Sequence, residues 1–133
     1  MTDTNGKMTV LLVDDDKFLV DMYSMKFTQQ GFAVHATLSV GDALEALRGG
    51  LQPDAIVFDI TMPERDGFAL LKTIADEQLA PKAIRIALTN QSTDAEKSKA
   101  AEMGAHSYIV KATMIPSEVV AMVVTEIEKR KKR

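Results

Sequence analysis

Two kinds of segment alternate along this chain with different hydrophobic periods, and that alternation restricts its fold more than any other feature. Short apolar runs occupy residues 8–13, 32–36, 55–58, 83–88 and 107–110. Each is of strand length and most are rich in Val or Ile, which predicts five β-strands. Between them, Leu19, Met22, Tyr23 and Phe27 recur at helical spacing, as do Val40, Ala43, Leu44 and Leu47, and then Phe68, Leu71, Ile74 and Ala75. Each set makes one apolar face of an amphipathic helix. A last helix carries Val119, Val120, Val123, Val124 and Ile127, with Pro116 suited to its first turn. Residues 95–103 are helical in pattern but offer little beyond alanine and Met103 to bury, so this helix is expected to be the most loosely held. Gly31, Gly49, Gly50 and Pro81 punctuate the divisions.

Five strand–helix units in strict alternation require a parallel sheet with helices on both faces, because right-handed crossovers leave few other arrangements. The expected fold is α/β and flavodoxin-like, a doubly wound five-stranded parallel sheet of order 2-1-3-4-5. At 133 residues the chain suits one domain. Its expected extent is 7–128, with a flexible N-terminus over 1–6 and a basic tail over 129–133. Hydrophobic residues make up 46% and charged residues 26%, an ordinary globular balance, and no apolar run reaches the length of a membrane span. Met1 to Gly6 lack the pattern of a secretory signal, so a cytoplasmic location is expected.

The absence of cysteine removes disulfides, thiolate metal sites and thiol nucleophiles. His35 and His106 stand apart and are read as structural. A net charge of −3 gives no ground for nucleic-acid binding, and the basic block from Lys129 to Arg133 fits the solvated C-terminus of a helix.

In a parallel sheet the C-terminal ends of all strands share one edge, so the residues that follow the apolar runs meet there. Those residues are Asp14, Asp15 and Asp16, then Asp59, Thr89 and Lys111. Clustered carboxylates repel one another and are costly to bury unpaired, so a positive charge is needed to hold this edge together. Magnesium, which takes a few carboxylate oxygens and shares its other positions with water and phosphate, matches the oxygen-only set. Asp16, just before the first helix, is expected to cap it. Taken alone, the aspartate triplet fits a solvated loop as well as a metal site. Asp59 decides between the two, because it ends a strand that must cross the middle of the sheet. Thr89 and Lys111 taken singly suit a turn hydroxyl and a surface lysine, and only their shared edge lifts them above that.

These residues resemble the receiver domain of bacterial two-component response regulators, over most of the chain. The motifs are Leu-Leu-Val-Asp-Asp-Asp at 11–16, Asp-Ile-Thr-Met-Pro-Glu-Arg-Asp-Gly at 59–67, Ala-Leu-Thr at 87–89 and Tyr-Ile-Val-Lys at 108–111. The resemblance implies that Asp59 is the phosphoacceptor, charged from a phosphohistidine on a histidine kinase or phosphotransfer protein. It implies that Asp15 and Asp14 hold Mg2+ together with Asp59 and the backbone carbonyl of Thr61. Lys111 then pairs with the phosphoryl oxygens, Thr89 is the hydroxyl that moves to them, and Tyr108 is the switch aromatic that turns inward afterwards. As a plain structural residue, Tyr108 also suits a half-buried strand edge. The response is expected on the face of the fourth helix, fifth strand and fifth helix, toward an unknown output partner or a phosphorylation-dependent dimer. Such a domain is no enzyme beyond catalysing its own phosphorylation and dephosphorylation. Met62, Pro63, Asp66 and Gly67 are read as scaffold, with Asp66-Gly67 in a turn.

Two positions depart from that pattern. Ala112 follows Lys111 where relatives often carry proline, so a trans bond is expected there, a cis bond before alanine costing about 2.5–4 kcal/mol. Asn90 follows Thr89 where a small residue is usual, and with Thr61 and Gln91 it is expected to tune the rates of phosphotransfer and hydrolysis. Three rival readings compete with that of a receiver domain. An aspartate-nucleophile phosphatase starting at Asp14 is disfavoured by Phe18 and by the absence of length for a substrate-enclosing cap. A pseudo-receiver that only binds proteins is disfavoured by the complete set of acceptor, acids, hydroxyl and lysine. A nucleotide or flavin carrier lacks a Gly-rich phosphate loop.

Overall fold

The computed structural model describes residues 7–90, 93–111 and 114–131. The expected flexible segment 1–6, together with Gln91, Ala112, Lys132 and Arg133, lies outside the described residues, and with them the expectation of a trans bond at Ala112. The elements alternate as β1 (Thr9–Val13), α1 (Lys17–Gln29), β2 (Ala33–Thr37), α2 (Val40–Arg48), β3 (Ala55–Asp59), α3 (Gly67–Glu77), β4 (Ile84–Thr89), α4 (Asp94–Glu102), β5 (Ser107–Val110) and α5 (Pro116–Lys131). All strand pairs are parallel, as the alternation predicts, and the sheet order is β2-β1-β3-β4-β5, the expected flavodoxin-like order.

β1 from Val10 to Val13 and β3 from Ala55 to Phe58 are apolar without a break because both faces of the sheet are covered there, whereas the edge strand β2 carries an exposed His35 and β4 includes Arg85. Successive residues supply opposite sides: Val10 and Leu12 join the core under α1 and α5, whereas Leu11 and Val13 join the core under α2 and α3. In β3, Ala55 and Val57 take the first side and Ile56 and Phe58 the second. This strand is central and buried throughout, Asp59 included. β4 likewise extends one residue beyond its apolar run to include Thr89, because the ladder continues past it with the Ile60 N–H donating to the Leu88 carbonyl at 2.9 Å.

Side-chain caps fix where the first four helices begin. Asp16 accepts from the Leu19 N–H at 3.2 Å, Ser39 from Asp42 at 3.1 Å and Thr93 from Glu96 at 3.0 Å. Asp66 does the same for Ala69 at 3.0 Å, so the expected turn at Asp66-Gly67 is instead the N-cap and first residue of α3. Gly67 is required there by close approach: a Cβ would lie 2.8 Å from the Asp59 carbonyl oxygen and 2.9 Å from the Ile60 Cα. The inner face of α3 uses Leu70 where Ala75 was expected, and Ala75 is exposed. α4 buries only Ala100, in keeping with its weak apolar pattern.

The basic block differs from a free tail. α5 continues through Lys131, crossing the boundary expected at 128, and Arg130 donates to the His106 carbonyl at 2.8 Å. His106 in turn accepts the Arg85 N–H on Nδ1 at 2.9 Å, a structural role. Burial, and then the charges of Arg130 and Arg85, hold its pKa below the usual histidine value. Among the described residues, no helix is long and apolar enough to cross a membrane.

Candidate functional site

Strand register assembles the site. β1 and β3 pair Val13 with Phe58, so the next residues, Asp14 and Asp59, leave the sheet side by side. β3 and β4 pair Asp59 with Leu88, and β4 and β5 pair Thr89 with Val110. Lys111 therefore emerges two strands from Asp59 and must reach across β4. Its four-carbon stem does so: Nζ donates to Asp14 Oδ2 at 2.7 Å and to Asp59 Oδ2 at 3.2 Å. The lysine reaches both carboxylates although alanine, not proline, follows it.

Asp14, Asp59, Thr89 and Lys111 are all buried, whereas Asp15 is exposed at the mouth. Asp14 Oδ1 accepts the Asp16 N–H at 3.0 Å, and Asp59 Oδ1 accepts the Thr61 N–H at 3.2 Å. Thr61 thus acts on Asp59 through its own N–H, a contact the sequence did not indicate. Burial pushes the Asp59 carboxyl up from 3.8 to about 6; Lys111 opposes that rise and the neighbouring charge of Asp14 adds to it. Burial also works against the charge on Lys111, but Asp14 and Asp59 together outweigh it and hold that pKa above the ordinary lysine value.

One carboxylate oxygen each from Asp14, Asp15 and Asp59 lies within 4.8 Å of the others. Three carboxylates face one ammonium, all donors are oxygen, and one acid is open to solvent. Such a set fits a hard divalent cation of the magnesium type, which would offset the charge that Lys111 leaves uncompensated.

Thr89 and Tyr108 are turned elsewhere. The Thr89 hydroxyl donates to Glu96 Oε1 at 2.9 Å, and the Tyr108 hydroxyl donates to the same oxygen at 2.5 Å. Glu96, on the first turn of α4, has no counterpart among the residues expected from the sequence. Its position three residues after Thr93 reads as a capping box, in which the acid turns back toward the cap. Asn90 is exposed immediately beyond β4, and Gln91 lies outside the described residues.

The chain is similar to known proteins in sequence and in fold. Residues 10–124 match the response regulator receiver domain. The response regulator SaeR of Staphylococcus epidermidis is 33% identical over 111 residues, which cover 84% of this chain and 46% of SaeR, so the chain spans slightly under half of that relative's length. A CheY-like receiver domain protein of Methanospirillum hungatei superposes with a TM-score of 0.83 at 21% identity, over 95% of this chain and 98% of that one, and so shares the fold. The BeF3-activated receiver domain of DrrB, a Thermotoga maritima protein, superposes with a TM-score of 0.77 at 28% identity, over 92% of this chain and 98% of that one. By sequence over nearly its whole length, and by a sheet edge that carries two buried aspartates, a hydroxyl and a lysine, the chain belongs to the response regulator receiver domain family of two-component signalling.

Proposed function

We propose that Asp59 accepts a phosphoryl group from a phosphohistidine on a histidine kinase or phosphotransfer protein, and that the resulting charge resets the face made by α4, β5 and α5. The observation that carries this is the buried Asp59 carboxylate, with Lys111 Nζ at 3.2 Å and the oxygens of Asp14 and Asp15 within 4.8 Å. With a pKa near 6, Asp59 is largely ionised at neutral pH while still shielded from water, the state a nucleophile needs. An Asp59 oxygen attacks phosphorus as the P–N bond breaks; the imidazole nitrogen keeps the electron pair and takes a proton from solvent. The Thr61 N–H holds the carboxylate in orientation, and Asp14 fixes Lys111 where its ammonium can donate to the phosphoryl oxygens. Asp14, Asp15, Asp59 and the Thr61 carbonyl would hold Mg2+, which would supply positive charge against three carboxylates as an anionic donor approaches.

Thr89 then transfers its hydrogen bond to the phosphoryl group and Tyr108 turns inward, changing what α4, β5 and α5 present to an output partner or a second copy. Catalysis is confined to the domain's own phosphorylation and dephosphorylation, with Thr61, Asn90 and Gln91 tuning the rates. The receiver unit extends from residue 7 through the end of α5 at Lys131, acts in the cytoplasm and binds no nucleic acid itself, in keeping with the chain's net charge of −3. Incubation with acetyl phosphate and magnesium, read by intact mass, tests the proposal. One phosphoryl adduct is expected on the wild type and none on Asp59→Ala; an unmodified wild type would leave a protein-binding module as the better account.

A further inference from the structure

We propose that Glu96 is the latch of the resting state: its carboxylate holds the Thr89 and Tyr108 hydroxyls, and phosphoryl capture has to break that hold. This rests on Asp59 being the acceptor. Oε1 of Glu96 takes both bonds, at 2.9 Å from Thr89 and 2.5 Å from Tyr108, on a helix whose start is already capped by Thr93. Both are hydroxyl-to-carboxylate bonds, the stronger class of hydrogen bond.

A hydroxyl has a single proton to donate. Thr89 therefore cannot serve Glu96 and a phosphoryl oxygen at once, and the two states exclude each other by proton count rather than by bulk. Because Tyr108 shares the same acceptor, losing Thr89 from the cluster also alters the bond that holds Tyr108 toward α4. The helix has little else to hold it: it buries Ala100, and Lys99 lies over the Phe68 ring at 4.3 Å. Glu96 thereby couples three events, the turn of Thr89, the turn of Tyr108 and the release of the first turn of α4. Linkage makes the coupling reciprocal, so whatever weakens the latch tightens binding of a phosphoryl mimic by the same factor.

Titration with beryllofluoride and magnesium reads that factor. Glu96→Ala is expected to bind the mimic about tenfold more tightly than wild type, the scale of one charge-assisted bond, with Glu96→Gln in the same direction and between the two. In a Thr89→Ala background, Glu96→Ala is expected to change affinity less than about twofold, since the competing hydroxyl is gone. Unchanged or weaker binding by Glu96→Ala, or an equal gain without Thr89, would overturn the latch. Fluorotyrosine NMR without the mimic reads the latch independently of Asp59 chemistry. The chain has two tyrosines, and Glu96→Ala and Glu96→Gln should shift the Tyr108 resonance while leaving that of Tyr23 in place. A stationary Tyr108 resonance would also overturn the proposal. Wild type that takes neither beryllofluoride nor phosphoryl would count against Asp59 as acceptor, while the NMR result still decides the latch.

Discussion

Replacing Asp59 with asparagine should stabilise the metal-free protein at neutral pH, although it destroys the proposed acceptor. Asp59 is 3% exposed and its carboxyl is raised from 3.8 to about 6, first by burial and then by Asp14, against the pull of Lys111. At 1.36 kcal/mol per pKa unit, the ionised form carries about 3 kcal/mol of unfavourable energy relative to the protonated form. Asparagine resembles the protonated form in shape and charge, and setting the desolvation of its amide against the gain leaves about 2 kcal/mol. The sign follows from proton binding. Between about pH 4 and pH 6 the folded state binds more protons at this group than the unfolded state, so wild-type stability falls as pH rises through that window. Asp59→Asn lacks this loss. Its advantage should be near zero at pH 4.5 and about 2 kcal/mol at pH 7.5, and the difference between the two proteins cancels His106, whose depressed pKa acts on both. Urea unfolding followed by circular dichroism, in chelator at the two pH values, measures it. Magnesium should narrow the gap at pH 7.5 by stabilising the wild type preferentially. If Asp59→Asn is no more stable than wild type at pH 7.5 without metal, Lys111 outweighs burial and the electrostatic account of the site is wrong.

Lys111→Met should cost about 3–5 kcal/mol in the absence of divalent cations, because it leaves Asp14 and Asp59 adjacent and without their shared ammonium; magnesium should recover part of that in a melting experiment. Gly67→Ala drives a methyl group into backbone atoms of Asp59 and Ile60, so chemical denaturation should show a loss of about 1–3 kcal/mol and acetyl phosphate labelling should slow as β3 shifts. Asn90→Ala should raise the rate of phosphoryl gain or loss in a time-resolved intact-mass assay, and unchanged rates would remove Asn90 from the rate-tuning set.

The fold was legible because both of its periodicities survive in the sequence. Strands buried on two faces keep unbroken apolar runs, and their parallel alignment carries Asp14, Asp59, Thr89 and Lys111 to one edge whatever the details of packing. The strand order rested partly on resemblance, since alternation alone requires a doubly wound sheet without choosing among orders. Glu96 was hidden for a local reason. Thr-Asp-Ala-Glu at 93–96 is a well-formed capping box, and nothing in the spacing reveals that the acid turns to hydroxyls on β4 and β5 instead. Asp66 was misread because aspartate before glycine suits a turn and a helix cap equally, and only the approach of α3 to the end of β3 decides between them. Arg130 looked like solvent-facing charge because its acceptor, the His106 carbonyl, is a backbone group that carries no sequence signature.

Reductive trapping after labelling with acetyl phosphate and magnesium tests the central claim most directly, since borohydride converts an aspartyl phosphate to homoserine, which peptide mass spectrometry can place. The account predicts homoserine at position 59 and at no other aspartate. Homoserine at 14 or 15, or none anywhere in a folded and magnesium-loaded sample, would contradict it.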